Sequence, residues 1–430
     1  MALSDFLVTL LTFVGVYSLF GLGLNVKYGF TGLVDFGHVA YFMVGAYVTV
    51  VLTMPATVPG YAGIGGFNLP GLFAPILPGG ELLGWFVGIA GGMIAAALVS
   101  LLVGVPTLRL REDYLAITAL GVATILNAVF DNEEWLFNGT FGIRSVHEPL
   151  ADVFPVGFGS FALNMAILGG ISVVSFVAAG YLVFQYARDA DGRIRALIGV
   201  SSAVFVLWYF VQPVLTGGGM VQLQRNAMWL FDPNAGPSGG LDYDRFFLLF
   251  TTALLAVGYW WVQRTINSPY GRVLRAIRDD EDVPKALGKR TYRYKMQAMM
   301  FGSALAGAAG ALYAIQLGFI SPAQFGPMLT FFAFTAVIIG GTANNAGVIL
   351  GSAVFWIINS GTRFLSDYVP SEYSVQLAAA RLILIGIILV VILYYRPEGI
   401  LGEQDYDVKL SGEGRDSDGW AVFDGSDSDD

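Results

Sequence analysis

The sequence predicts an all-α fold, a polytopic transmembrane helical bundle of about 10–11 membrane helices. Three observations carry this. Apolar runs of about 20 residues recur along the whole chain, each long enough to cross a hydrocarbon core of about 30 Å. Only 13% of the residues are charged, where soluble domains carry about 25%. The mean hydropathy is +0.65. A β-barrel is disfavoured, because its strands would alternate polar and apolar residues in segments of about ten.

Helices are expected near 5–26, 30–53, 82–104, 114–130, 162–187, 196–215, 246–262, 296–318, 325–341, 346–362 and 376–395. The first, MALSDFLVTLLTFVGVYSLF, has no positive leader and reads as a retained helix, not a signal peptide. The stretch 58–80, VPGYAGIGGFNLPGLFAPILPGG, is rich in Gly, Pro and aromatics and reads as an ordered loop. The segment 325–341 is the weakest: it is short, ends in Gly340-Gly341, and either spans or re-enters. In 301–314, FGSALAGAAGALYA, the pairs Ser303/Gly307 and Ala306/Gly310 let helices approach closely. Residues 1–395 thus form one transmembrane domain. Residues 396–430 form a Ser/Gly/Asp-rich tail that reads as disordered.

The formal charge of −9 belongs to that tail, since the rest of the chain is nearly balanced. Lys and Arg alternate between loops. Lys27, then Arg109 and Arg111, then Arg188, Arg193 and Arg195, then the basic stretch 263–295 fall on one side. The intervening loops hold no cation at 54–81, Arg144 at 131–161, and Arg225 and Arg245 at 216–245. By the positive-inside rule the first set is cytoplasmic. The N-terminus is then outside and the acidic tail inside, in a multi-pass protein of the cell membrane.

Much chemistry is absent from the sequence. There is no cysteine, so disulfides, thiolate metal sites and cysteine nucleophiles are excluded. No phosphate-binding G-x-x-x-x-G-K-[ST] loop and no H-E-x-x-H occur. His38 and His147 have no partners that make a triad, so no catalytic, cofactor or metal residue is nominated. Nothing calls for nucleic acid. The clearest ionisable residues within the apolar segments are Asp35 and His38, which i, i+3 spacing would put on one helix face. They are either a polar spot on a solute path or, more ordinarily, a hydrogen-bonded pair tying helices together. Asn138-Gly139-Thr140 is a glycosylation sequon by letter, but Asn-Gly is also a common turn, the preferred reading.

The hydrophilic run INSPYGRVLRAIRDDEDVPKALGKRTYRYK, 266–295, is organised as helix. Ser268 can N-cap and Pro269 suits the first helical position. Val273, Leu274 and Ile277 share one side; Arg275–Asp279 and Arg278–Asp282 are i, i+4 pairs. Pro284 breaks the helix and starts a second short one, which Gly288 can end in a left-handed cap. Two short helices at an angle make a rigid knob.

The order of residues in SPYGRVLRAIRDDEDVPKALG resembles the cytoplasmic coupling segment of ABC importer permeases for branched-chain amino acids, which reads approximately S-P-x-G-R-A-L-R-A-I-R-x-x-E-x-A-A-x-x-L-G. NVKYGFTGLVDFGHVAYFMVGAY resembles the family's second-helix signature N-x-x-x-G-x-x-G-x-x-S-x-G-H-x-x-F-x-x-x-G-A-Y. LRLREDYLAITALGVATIL, NGTFGI, IIGGTANNAGVILGSAV and YYRPEGILG resemble further segments in the same order over residues 25–402. The chain is therefore identified as resembling a LivM-type permease subunit. Two departures stand out: Asp35 replaces a small residue, commonly Ser, and 188–245 reads as an inserted hairpin. The acid-rich tail and absent cysteine are compatible with a salt-adapted archaeon.

The resemblance implies an importer of two permease subunits, the second a different chain, with two ABC ATPase subunits and an extracellular substrate-binding protein. An amino acid would be the substrate and the lipid bilayer the surrounding medium. The chain itself would need no cofactor, because ATP is used by the partners, and it would not be an enzyme. The ATPase-coupling residues would be Gly271, Arg272, Arg275, Arg278, Glu281, Ala286, Leu287 and Gly288. Gly32, Asp35, Gly37 and His38 would lie on the translocation path. The rival reading is a proton-coupled secondary transporter using Asp35 and His38 as a relay, which has no need of a coupling knob.

Overall fold

A computed structural model of the chain describes residues 3–58, 61–76, 80–110, 112–144, 146, 149 and 243–366, and within 380–402 residues 380, 383–387, 390–391, 394–395 and 398–402. The expected helices 162–187 and 196–215, the inserted hairpin 188–245 apart from its last residues, His147 and the acidic tail beyond 402 lie outside the described residues.

The described elements run in the order α1 (Leu3–Thr31), α2 (His38–Thr53), α3 (Leu69–Phe73), α4 (Gly80–Thr107), α5 (Glu112–Asn132), α6 (Glu134–Phe137), β1 (Ile143–Arg144), α7 (Tyr243–Ile266), α8 (Pro269–Asp279), α9 (Asp282–Ala286), α10 (Thr291–Leu317), β2 (Phe319–Ile320), α11 (Met328–Gly340) and α12 (Asn345–Ser366). Six segments among them are long and apolar enough to cross a membrane, and two shorter apolar helices start at His38 and Asn345. The all-α reading holds. The chain is a multi-pass membrane protein.

Helices α1 and α10 form the centre. In each, 78% of the apolar window is buried inside the protein, against 33% for α4 and 28% for α5, so the latter two turn most of their apolar surface outward. The central contacts are made at glycine. Gly302 of α10 lies against the backbone of Gly23 in α1, Gly307 against Gly45 in α2, and Gly310 against the carbonyl of Phe42. A hydrocarbon solvent supplies no hydrophobic drive between helices, so close backbone approach supplies dispersion contact instead. The small-residue pairs in 301–314 do this packing.

At one end of the bundle, 54–68, 133–146 and 318–325 join. Ala62 N donates to Asn138 Oδ1, Ile64 N to the Leu136 carbonyl and Val146 N to the Gly318 carbonyl. The β1–β2 pairing sets Ile143 opposite Ile320 and Arg144 opposite Phe319. Asn138 adopts φ 69° and also donates from Nδ2 to the Gly142 carbonyl at 2.7 Å. It is 5% exposed, so this Asn-Gly is the turn the sequence suggested. The opposite end gathers 29–33, 105–110, 263–291, 339–345 and 398–402, through contacts such as Arg278 Nη1 to the Gly29 carbonyl, Tyr292 OH to the Val105 carbonyl and Ile400 N to the Ile339 carbonyl.

The first two helices correct the sequence reading. They were expected at 5–26 and 30–53, with Lys27 in a loop between them. Instead α1 continues through Lys27 to Thr31, and Gly32 ends it at φ +73°. Leu33 N then reaches back to the Lys27 carbonyl at 2.9 Å, closing the helix end with a left-handed cap. The link 32–37 is not helical, and α2 starts only at His38. His38 sits against the carbonyl of Phe20, which lies eleven residues before the end of α1. At 1.5 Å per residue that is roughly 16 Å into the bundle. Helix α11 begins at the same depth, since Thr330 Oγ1 accepts from Val39 N at 3.0 Å. Its 13 residues rise about 20 Å, too short for a hydrocarbon core of about 30 Å. The apolar segment counts 19 residues only when taken from Pro322, and Pro322–Gln324 is a separate turn. Both α2 and α11 are half-length helices with starts inside the protein.

The glycine seam makes a firm expectation. Gly310→Val and Gly45→Leu should each lower the yield of folded protein and its melting temperature in detergent, because a side chain there meets helix backbone rather than a movable side chain. Overpacking of this kind costs about 1–3 kcal/mol or more. Gly121→Ala, where nothing lies within 4 Å of an added Cβ, should leave both unchanged.

Candidate functional site

The first candidate set, Gly32, Asp35, Gly37 and His38, is brought together, though not as the shared helix face the spacing implied. Asp35 belongs to the link and His38 to the first turn of α2. What joins them is Lys27, fully buried in α1. Lys27 Nζ lies 2.7 Å from Asp35 Oδ2 and 3.1 Å from His38 Nδ1, and 4.1 Å above the Tyr41 ring. The other Asp35 oxygen accepts from Gly37 N at 3.0 Å.

These contacts assign the protons. The Phe20 carbonyl, 3.1 Å from His38 Nε2, can only accept, so Nε2 carries the hydrogen. Nδ1 is then the acceptor for the Lys27 ammonium, and the imidazole is neutral. Phe20 also stacks on His38 at 4.6 Å. A buried charge must be paired and hydrogen-bonded; the ammonium here has a carboxylate, an imidazole nitrogen and an aromatic face. The departure from the small residue of the resembled pattern is thus matched within the chain: Asp35 answers Lys27. The cluster ties α1, the link and α2 together, which is the tying role weighed above.

The glycines of this elbow have separate reasons. Gly37 lies against the carbonyl of Ala119 in α5, where a Cβ would collide. Gly32 faces Arg278 of α8, the nearest Arg278 atom being 3.4 Å from an added Cβ. The second candidate set therefore touches the first.

That second set forms the knob. Pro269 opens α8 and Ser268 has N-cap backbone geometry, with φ −81° and ψ 170°. Its hydroxyl, however, donates back to the Thr265 carbonyl at 2.6 Å instead of capping. Gly271 lies against the Ile266 carbonyl, which lets α8 fold back on the end of α7. Gly271, Leu274 and Ile277 are the buried face. The three arginines were named together as coupling residues, but their surroundings differ. Only Arg272 is exposed. The Arg275 guanidinium lies 5.6 Å over the Phe30 ring, and Arg278 donates to the Gly29 carbonyl at 2.9 Å, so both grip the elbow.

Glu281 was also named as a coupling residue. It holds the turn between α8 and α9 to the first turns of α10, accepting from Thr291 Oγ1 at 2.8 Å and from Lys295 Nζ. Partial burial pushes its carboxyl up. The hydrogen bonds from Lys295 and Thr291 and the charges of Lys295 and Lys285 outweigh that and hold it below its ordinary value. A depressed carboxyl stabilises above its unfolded value and loses that contribution as pH falls through the folded one, so the clasp is intact at neutral pH. Gly288 takes φ +74° with nothing within 4 Å of an added Cβ, as the cap required. Leu287, 75% exposed, and Val283, 53% exposed, project from α9, beside exposed Ala286. The sequence reading missed Val283, although its i, i+4 spacing from Leu287 was legible.

A polar ladder was also missed. Asn25 Nδ2 donates to Asn345 Oδ1 at 3.1 Å, Asn345 Nδ2 to Gln263 Oε1 at 2.8 Å, and Ala343 N to Asn25 Oδ1 at 3.0 Å. It joins α1, α7 and the turn before α12 beside the elbow.

Breaking the ion pair should be costly. Asp35→Asn leaves the Lys27 charge buried without its counter-ion and should destabilise by about 3–5 kcal/mol, whereas the double change Lys27→Leu with Asp35→Ser should recover most of it. Thermal unfolding in detergent measures both. Transport by the double variant at the parental rate would also rule out an Asp35–His38 proton relay.

The family model for the branched-chain amino acid transport system permease component matches residues 6–393. The chain is 28% identical over 405 residues to the high-affinity branched-chain amino acid transport system permease protein LivM of Escherichia coli strain K12, covering 94% of this chain and 72% of LivM. It is 30% identical over 258 residues to the permease protein BraD of Pseudomonas aeruginosa, covering 59% of this chain and 79% of BraD. LivH of Escherichia coli strain K12 matches over 140 residues at 31%, which is 33% of this chain and 42% of LivH. No solved structure matches. With a match from the first helix to the last, on a bundle of apolar helices, the chain belongs to the family of branched-chain amino acid transport permease components.

Proposed function

We propose that the chain is one permease half of an ATP-driven importer for branched-chain or related amino acids. It works with a second, different permease chain, two cytoplasmic ATPase subunits and an external binding protein that delivers the solute. The knob α8–α9 carries this reading. It is fixed to the body at Glu281 and Arg278, and it presents the apolar pair Val283 and Leu287 to a partner at the basic end of the bundle. A transporter driven only by an ion gradient has no need of such a projection.

The steps follow from the connections. ATP binding draws the ATPases together, and the knob moves with them. Arg278 and Arg275 pass that motion to Gly29, Phe30 and Gly32, hence to the elbow where α1 ends and α2 is hung. Rigid-body shifts of this kind switch a pathway between two arrangements. The bundle's basic end, with Arg109, Arg264 and the knob, is cytoplasmic by the positive-inside rule. Lys27, buried in α1, is not one of the loop cations that this rule counts.

Two experiments test the proposal. In vesicles holding the complex, labelled leucine should accumulate only with ATP; accumulation driven by a proton gradient without ATP would favour the secondary transporter. Gly288→Val strains a left-handed residue by roughly 1–2 kcal/mol without touching a neighbour, and Ala286→Glu alters only the exposed knob. Each should cut solute-stimulated ATP hydrolysis and uptake together by about tenfold, the equivalent of about 1.4 kcal/mol, while abundance is kept. For orientation, single cysteines at Gly65 and Phe141 should react with an impermeant maleimide from outside intact cells, and one at Leu287 should not. Reaction at Leu287 would reverse the orientation.

A further inference from the structure

The two links that precede the half-length helices are versions of one motif. GFTGLVDFG, 29–37, and GFISPAQFG, 318–326, agree at their first two and last two positions. By that alignment Phe36 corresponds to Phe325 and Phe42 to Phe331. Each stretch lies where a long helix, α1 of 29 residues or α10 of 27, gives way to a short one, α2 of 16 or α11 of 13, although the left-handed glycine that ends the long helix is the fourth residue of the first stretch, Gly32, and the first of the second, Gly318. The long helices are antiparallel: Gly23 meets Gly302 near one end, and Phe13 meets Tyr313 at 6.3 Å near the other. The two helix pairs therefore run in opposite orientation.

The contacts between the pairs are reciprocal. Phe36 of the first link packs on Phe331 of α11 at 5.2 Å, and Phe325 of the second link packs on Phe42 of α2 at 5.8 Å. Exchanging the pairs turns one contact into the other, as a two-fold axis requires. Between these two contacts the starts of α2 and α11 meet, where Val39 N donates to Thr330 Oγ1. The crossing is open on one side, with Met328 52% and Phe331 42% exposed next to half-buried Phe36.

The kinds of contact differ. Helix α10 is held to α1 and α2 by backbone against backbone at glycines, which cannot part and reclose without losing the packing. Helix α11 meets the start of α2 through aromatic rings and one hydroxyl, which can. Inverted helix pairs with broken helices meeting at mid-depth are the arrangement in which a solute path alternates its opening.

We infer that the crossing of α2 and α11 is the gate of the translocation path, closed by the Val39–Thr330 bond and the two aromatic pairs. It opens when α11 swings off the start of α2, on the side of Phe36, Met328 and Phe331. The assignment rests on the chain being a transport permease, and it does not depend on what drives the transport.

The cysteine-free chain allows a direct test. Val39→Cys with Thr330→Cys, in the full complex, should oxidise to a disulfide and lose reactivity to maleimide. Leucine uptake should then drop at least about tenfold and return with dithiothreitol, as expected when a conformational step limits turnover. Each single cysteine is the reference for its own substitution: its uptake rate, whatever the change itself costs, should be the same before and after oxidation. The gate is wrong if the cross-linked protein imports at the reduced protein's rate, or if the pair stays fully reactive to maleimide after oxidation. Should Val39→Cys fail to fold, Phe36→Cys with Phe331→Cys, bridged by a short bifunctional thiol reagent, replaces it with the same two outcomes. If the parent imports without ATP, the coupling proposal fails and the cross-link still tests the gate.

Discussion

Backbone contact at glycine is the constraint on which the rest of the molecule depends. Gly302, Gly307 and Gly310 let α10 touch α1 and α2 without intervening side chains, and so set how closely the two half-length helices can meet. In lipid this closeness is itself the attraction, because apolar side chains gain little by leaving one hydrocarbon for another. Helix α4 shares the seam on one face, where Gly92 meets the Gly45 carbonyl, while its other face and much of α5 present leucine, isoleucine and valine outward.

The seam also creates a problem that the ion cluster answers. A helix that ends inside the bundle leaves polar backbone and a bend where no water reaches, and such groups must be satisfied internally. The elbow meets this with Asp35 on the Gly37 amide and on Lys27, with Thr31 Oγ1 on the Val26 and Lys27 carbonyls, and with His38 on Phe20. Buried ion pairs are weak sources of stability but strong specifiers of arrangement in some systems. Here the arrangement is a sharp reversal of the chain.

Legibility in the sequence followed the range of the forces involved. The long helices are one-dimensional signals, apolar runs bounded by polar residues, and α4, α5, α7, α10 and α12 lie within a few residues of their expected places. The knob is local too: Pro269, Pro284 and Gly288 mark it by their own backbone preferences. The elbow was misread because 30–53 is apolar over most of its length, and the glycine that ends α1, Gly32, is one among 55. Lys27 was read as a loop residue because a lysine inside a helix is expensive without a partner, and Asp35 becomes its partner only when the chain turns back. The contacts of Arg275 and Arg278 were hidden for the same reason: their partners, Phe30 and Gly29, are remote in sequence.

The pairing of Lys27 with Asp35 has an electrical consequence. A lone ammonium carried through the membrane field would exchange about 2.3 kcal/mol with each 100 mV it crossed, enough to make the transport cycle feel the resting potential. With the carboxylate at 2.7 Å the elbow moves as a nearly neutral body, a dipole instead of a charge. Motion of the α1–α2 elbow is therefore close to electrically silent. A cell can polarise or depolarise its membrane without biasing this part of the protein toward either arrangement.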